Sequence, residues 1–134
     1  MQKIAALHSF LAGLNLVAAE QIDSAVDDLT IIPSGRRAAT AGQITIAEQH
    51  YTASFFIERY PHGQVPAELL FAQISAWLLQ NDTGRTEPIE FPVIVDVLDA
   101  QTANLEFGIP FTEEITGIPF SSGPVVINST HYKL

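Results

Sequence analysis

The stretch from Ile89 to Glu114 contains two runs in which apolar residues occupy alternate positions. The first run holds Phe91, Val93, Val95 and Val97, and the second holds Leu105, Phe107, Ile109 and Phe111. A period of two is typical of β-strands, so we predict a hairpin with strands near 91–98 and 104–112. Because an isolated hairpin is marginally stable in water, its apolar face requires a covering layer.

Apolar residues at helical spacing predict two helices that provide this cover. The helix near 3–16 presents Ile4, Leu7, Leu11 and Leu14, and the helix near 66–80 presents Leu70, Phe71, Ile74, Trp77 and Leu78. Pro66 suits the first helical position, and Glu68 lies near the positive end of the helix. We therefore expect Trp77 to be a buried core residue.

The remaining segments predict three further strands and several turns. The strands lie near 29–33, 36–46 and 49–58, with a turn at Pro33-Ser34-Gly35. Ile44 and Ile46 occupy even positions whereas Tyr51 to Ile57 are apolar at odd ones, so we expect a bulge or turn near 47–49. The segment 20–28 is expected to be a short helix or an irregular crossing. After residue 116 we expect loops, one short strand at 125–127 and a frayed tail at 131–134.

These elements predict an α+β fold, with a mainly antiparallel β-sheet and two amphipathic helices packed on one face. A chain of 134 residues fits a single domain, 1–134. Lys3 and the apolar run that follows it resemble a secretory signal, but His8, Ser9 and Asn15 interrupt the run, so we expect a retained first helix. Nowhere do about 18 unbroken apolar residues suggest a membrane span.

The charge balance excludes one class of partner and favours another. The formal charge of −9 repels phosphate backbones, so we expect no direct sequence-specific nucleic-acid binding. Only 16% of the residues are charged, whereas 47% are hydrophobic, which favours self-association. Many of these hydrophobic residues are alanine, so a large plain core is also consistent with the composition.

Residues with catalytic or metal-binding potential are scattered and fit no known pattern. The chain has no cysteine, no nucleophile elbow and no phosphate-binding glycine motif. Its histidines lack ligand spacing: His8, His50, His62 and His131. We expect Asp99 to accept backbone hydrogen bonds in the hairpin turn, and Glu113 and Glu114 to be solvated. The sequence thus predicts no metal, no cofactor and no enzymatic activity.

Exposed residues on the predicted sheet suggest a subunit contact. Phe56 points away from the buried face of its strand, as do Ile94 and Leu98 in the hairpin. Arg36 and Arg37 form the one basic cluster, which typically flanks a turn or pairs with an acid of a neighbouring chain. We therefore expect these five residues at a subunit interface. A second layer of the same chain is an alternative cover for Phe56.

Several short segments, taken in order, resemble the phage tail completion protein R (GpR) family of contractile-tailed temperate phages. They cover most of residues 1–115 and follow the first helix: Arg37-Ala38-Ala39-Thr40, Gln49-His50-Tyr51-Thr52, Phe55-Phe56-Ile57, Ile74-Ser75-Ala76-Trp77-Leu78 and Ile109-Pro110-Phe111-Thr112-Glu113. Pro92 and Pro110 depart from a regular hairpin and suit strand edges or bulges.

The resemblance implies a structural phage or prophage protein that finishes the head-proximal end of the tail before head–tail joining. It implies a tail-terminator-like homo-oligomer, by analogy a ring of six, that contacts the tail tube and head–tail connector proteins. Such a protein resides in the virion tail and, during assembly, in the host cytoplasm.

A small-molecule binding module is the competing hypothesis. In that hypothesis, the second helix and the hairpin enclose a pocket with Tyr51, His50 or Asp96 as its polar groups. An enzyme built on the same pocket is a third hypothesis.

Overall fold

A computed structural model describes residues 1–85 and 88–134 of the chain. It contains two α-helices and six β-strands: α1 Gln2–Gly13, β1 Ile22–Arg37, β2 Ile44–Tyr60, α2 Ala67–Asn81, β3 Val93–Val97, β4 Ala103–Pro119, β5 Val125–Ile127 and β6 Thr130–Lys133. The strand order is β1-β2-β4-β6-β5, and β3 pairs with β4. The α+β class and both helices are confirmed.

The described chain divides into two compact units. Unit 1 comprises Met1–Asp27 and Thr52–Pro110, and unit 2 comprises Asp28–Tyr51 and Phe111–Leu134. Unit 1 holds both helices, whereas unit 2 is built from strands and their connections. That the whole chain 1–134 forms a single domain stays a prediction.

The core of unit 1 lies between the helices and one face of the long strands. The helices bury Ile4, Leu7 and Leu11 of α1 and Leu70, Ile74, Trp77 and Leu78 of α2. The ring of Phe107 stacks on that of Phe55, with the ring centroids 5.3 Å apart. The centroid of the Phe91 ring lies 6.1 Å from that of Phe107. Trp77 is 9% exposed and contacts Phe10 of α1. Its predicted role as a core residue is confirmed.

A buried ionic cluster joins the start of α1 to the end of α2 in unit 1. Lys3 Nζ donates to Asp82 Oδ1 over 2.7 Å, and Arg85 Nε donates to Asp82 Oδ2. Arg85 also donates to the carbonyl oxygen of Pro110. The Asp82 side chain is only 3% exposed, so its charge is balanced mainly by these two cations. No local sequence pattern indicates this cluster, because Lys3 and Asp82 lie 79 positions apart.

The alternation predicted for the second hairpin strand is confirmed, because the odd-numbered residues of β4 are buried. They are Ala103, Leu105, Phe107, Ile109 and Phe111. The same prediction is wrong for β3, where Val95 and Val97 are 49% and 62% exposed. Val95 pairs with the fully buried Leu105 of β4. The layer that covers β4 therefore does not extend over the neighbouring strand β3.

The predicted boundaries of the first strands are wrong, because β1 and β2 are each continuous. The acidic segment 20–28 forms one 3₁₀ turn, Ala19–Gln21, and then enters β1. The chain turns at 38–43, where the amide of Ala38 donates to the carbonyl of Gln43, and not at Pro33-Ser34-Gly35. An edge strand tolerates Pro33, because one side of its backbone needs no ladder bond.

The expected bulge near 47–49 is also absent from β2. Thr45 and Ala47 are buried on the same face of β2 as the odd-numbered residues from Tyr51 to Ile57. Ile44 and Ile46 lie half-buried on the other face. The alternation of buried and exposed residues shifts by one position only at Arg59, whose φ of 54° lies within the strand, so that Tyr60 is buried. Tertiary packing therefore overrides the hydrophobicity of the two isoleucines.

The frayed tail expected at 131–134 is wrong, because Thr130–Lys133 forms β6, whereas the strand predicted at 125–127 is confirmed. The loop expected after residue 116 is limited to 120–124. β4 continues to Pro119, and β6 pairs with both β5 and β4. Asn128 and Ser129 both have positive φ, which is the backbone of a two-residue hairpin turn. At Gly123 a Cβ atom would lie 2.2 Å from the carbonyl oxygen of Tyr132, so this close approach requires glycine.

Candidate subunit-contact site

Phe56, Ile94 and Leu98 are exposed on unit 1, as expected for contact residues. Phe56 lies between the buried Phe55 and Ile57 of β2, so its side chain points to the opposite face. It is 36% exposed, and Ile94 in β3 is 62% exposed. Leu98 follows β3 directly and donates its backbone amide to the carbonyl of Thr102. All three leave apolar surface in contact with water.

A shallow groove of about 400 Å³ brings two of these residues together. It is lined by Phe56, Ile94, Val95, Asp96, Asn104 and Glu106. In the β3–β4 pairing Ile94 stands opposite Glu106 and Asp96 opposite Asn104. The groove is thus lined by three apolar residues, an amide and two carboxylates. Leu98 is not one of its lining residues.

Arg36 and Arg37 end β1 in unit 2, next to the turn at 38–43. Arg36 is held by two acids of its own chain, since its Nη2 donates to Glu48 and to Glu114 Oε1, the latter over 2.8 Å. The Arg36 guanidinium lowers the pKa of the Glu48 carboxyl, with a smaller effect from His50, and Glu48 in turn raises the pKa of Arg36. Arg37 is exposed and points to the opposite side of the strand.

Glu113 and Glu114 are not simply solvated, contrary to the expectation. Tyr51 donates its hydroxyl to Glu113 Oε2, and Thr45 donates to Glu114 Oε2 over 3.2 Å. The acceptors are neighbours in sequence, but their donors come from different positions of β2. Both donors occupy odd-numbered positions of β2, so only the register of β4 against β2 identifies the partner of each carboxylate.

Comparison with known proteins identifies the family. The family described as P2 phage tail completion protein R (GpR) matches residues 1–132. The chain belongs to the GpR family. A relative, the "Uncharacterized 19.2 kDa protein in rep-hol intergenic region" of Haemophilus phage HP1 (strain HP1c1), is 28% identical over 111 residues, which cover 81% of this chain and 66% of the relative. No solved structure matches the chain.

The GpR family is one of phage tail proteins, so this chain is a tail-associated protein. The family description names a completion protein and not an enzyme. The segments that carried the resemblance lie at the end of β1, in β2, in α2 and in β4, and the match extends beyond them to residue 132. The family match therefore includes the C-terminal hairpin, of which the sequence predicted only the strand at 125–127.

Asp99 organises the turn between β3 and β4 of this GpR-family protein. Its Oδ1 accepts from the amides of Gln101 and Thr102, over 2.8 and 2.6 Å, and from the Thr102 hydroxyl over 3.0 Å. This side-chain turn is the one that the sequence predicts. The Gln101 amide, then the two Thr102 donors, lower the pKa of the Asp99 carboxyl from its ordinary value of 3.8.

Acidification should open this turn. A carboxyl whose pKa is lowered by folding stabilises the turn above its ordinary value of 3.8, and this contribution is lost as the pH falls through the depressed pKa. Amide hydrogen exchange by NMR should show Gln101 and Thr102 losing protection in that range. Asp99→Asn should keep protection at every pH, because the amide oxygen accepts the same bonds, whereas Asp99→Ala should lack it throughout. Identical pH profiles for the Asp99→Asn variant and the unaltered protein would contradict this role.

The histidines have separate local partners. His8 Nδ1 lies 2.7 Å from Ser24 Oγ, and His50 Nε2 lies 3.1 Å from Glu48 Oε2. His62 and His131 face the carbonyl oxygens of Asp99 and Gly123. Within residues 1–85 and 88–134, no group of three or more His, Asp or Glu side chains is placed to hold a metal ion.

The polar residues of the small-molecule hypothesis are engaged elsewhere. Tyr51 and His50 contact Glu113 and Glu48, and Asp96 lines the shallow groove. A cavity of about 600 Å³ beside α2 is lined mainly by apolar residues, and its Asp82 and Arg85 pair with each other. Among the described residues, no helix has the length and apolarity needed to cross a membrane.

Proposed function

We propose that this protein completes the head-proximal end of a phage tail, before the tail joins the head, as a homo-oligomeric ring. The observation that carries the proposal is the match of nearly the whole chain, residues 1–132, to the GpR tail completion family. By analogy of role with other tail-terminating proteins, the ring has six subunits. Its partners are the tail tube on one side and the head–tail connector proteins on the other.

The charge of the chain supports a position at the end of a tail. A net charge of −9 repels DNA, so a ring of such subunits lets the genome pass without adsorbing it. The protein acts as a structural part of the virion tail, carries out no catalytic turnover and holds no metal or cofactor. It assembles in the host cytoplasm, from a phage or an induced prophage.

The proposed subunit interface contains Phe56, Ile94, Leu98, Arg36 and Arg37. Their exposure supports this role, since apolar side chains that are left in water gain free energy when a neighbour covers them. Head-to-tail contacts of identical subunits close into rings when the rotation between neighbours allows. A stable contact of this kind buries on the order of 1,200 Å² or more, so isolated subunits with weaker contacts assemble on the tail tube.

A deletion experiment tests the function. Phage that lack this gene should produce filled heads and separate tails, visible by electron microscopy, and few infectious particles. Addition of the purified protein to the lysate should restore the titre. Joined, infectious particles at normal yield from the deletion would contradict the proposed function.

Two matched variants test the interface. Phe56→Asp should fold and yet fail to restore the titre, because a charge at a buried contact is costly. Leu79→Asp adds the same charge at a residue of α2 that is 80% exposed and outside the interface, and it should restore the titre. If the folded Phe56→Asp protein restores the titre normally, Phe56 is not part of the interface.

A further inference from the structure

Charge is distributed unevenly between the two units. Unit 1 contains eleven acidic and three basic residues, a balance of −8, whereas unit 2 contains four acidic and three basic residues, a balance of −1. Two of the three basic residues of unit 2 are Arg36 and Arg37. Unit 2 of one copy is therefore the part of the molecule that can approach unit 1 of another copy with the least repulsion.

The C-terminal part of β1 has the properties of a docking segment. Residues 29–37, here called the basic strand edge, are exposed throughout. Leu29, Ile31 and Ile32 leave apolar surface in water along this segment, and Arg37 lies at its end. In the described sheet β1 has β2 as its neighbour on one side and an open edge on the other. Exposed apolar edge strands are typical sites of association with another chain.

The groove on unit 1 resembles this segment in its apolar residues and is opposite to it in charge. Its lining includes the apolar residues Phe56, Ile94 and Val95 and the carboxylates of Asp96 and Glu106. The adjoining strand β3 also has an open edge, because among the described residues it pairs with β4 alone. We refer to this site as the acidic groove.

We propose that the basic strand edge of one copy docks in the acidic groove of a second copy, with Arg37 beside Asp96 and Glu106. The inference rests on the proposed ring and states which two surfaces form it. A second copy is the occupant because one chain carries both complementary surfaces. Within this interface Arg37, and not Arg36, pairs with the carboxylates of the groove, since the Arg36 guanidinium is already held by Glu48 and Glu114 of its own chain. Since the two surfaces differ, the contact is head-to-tail and propagates from copy to copy.

Cysteine cross-linking tests this contact directly, because the natural chain has no cysteine. A mixture of Arg37→Cys and Asp96→Cys proteins, treated with a short bis-maleimide, should give heterodimers at several times the yield of either homodimer. A chain that carries both substitutions should give a ladder of oligomers ending in a closed ring. Arg37→Cys mixed with Gln80→Cys, which is exposed on α2, provides the collisional background. Heterodimers no more abundant than this background would overturn the proposed contact.

Charge reversal gives an independent test in the lysate complementation assay. Arg37→Glu and Glu106→Arg should each lower the restored titre at least about tenfold, because each places like charges at the contact. The double variant should recover most of the titre, since it restores opposite charges. Normal titres from both single variants would overturn the contact while the deletion phenotype still supports the function. Joined, infectious particles from the deletion phage itself would instead contradict the proposed function.

Discussion

Replacing Lys3 and Arg85 together by methionine should destabilise the protein by about 3 to 5 kcal/mol, because the buried carboxylate of Asp82 then loses both cations. Lys3 and Arg85 are 30% and 26% exposed in their side chains, whereas Asp82 is 3% exposed, so solvent can replace little of the lost charge balance. Urea unfolding followed by the emission of Trp77, the single tryptophan of the chain, measures the change.

A third substitution separates charge from packing in this cluster. Adding Asp82→Asn to the double variant removes the unpaired charge and should recover more than half of the lost stability. If the triple variant is no more stable than the double variant, the loss comes from packing of the two long side chains and not from the carboxylate.

Phe107→Ala should cost about 3 to 5 kcal/mol, the usual range for removing a buried phenylalanine. Phe107 is 2% exposed, and its ring lies between those of Phe55 and Phe91 in the core of unit 1. The neighbours come from β2 and from the segment before β3, so local collapse cannot easily fill the space that the ring leaves. The midpoint of urea unfolding should fall accordingly.

Phe56→Ala is the matched control, because Phe56 is an aromatic residue on the opposite face of the same sheet. It should change the free energy of unfolding by under about 1 kcal/mol in a dilute monomer. Similar losses for the two alanine variants would mean that both faces of the sheet are covered within one chain, which would contradict the use of Phe56 as a contact residue.

Local sequence patterns were sufficient to predict a helix or strand where one face of that element is covered by the core. Helical spacing predicted α1 and α2 to within a few residues, and strict alternation predicted the buried side of β4. The turn at Asp99 followed from the chemistry of a short carboxylate next to its own backbone. In each case the interactions that determine the element lie within a few positions along the chain.

The patterns failed where the position of a strand in the sheet determines its length or the burial of its residues. Pro33 and Gly35 signal a turn, but at an open edge β1 continues through them. Val95 and Val97 alternate like core residues and are exposed, because β3 is an edge strand outside the cover that buries β4. The Asn128-Ser129 turn gave a weak signal, since its positive φ angles are more often supplied by glycine.

By itself, the sequence determined the α+β class, both helices, the hairpin and the resemblance to the GpR family, because these depend on periodicity and on the order of short segments. Only the tertiary structure showed that Phe56 and Ile94 share one groove with Asp96 and Glu106, that Arg36 is already paired, and that Lys3 and Arg85 balance Asp82. These arrangements join residues that are distant along the chain. Strand register and packing create them, and no local pattern encodes either.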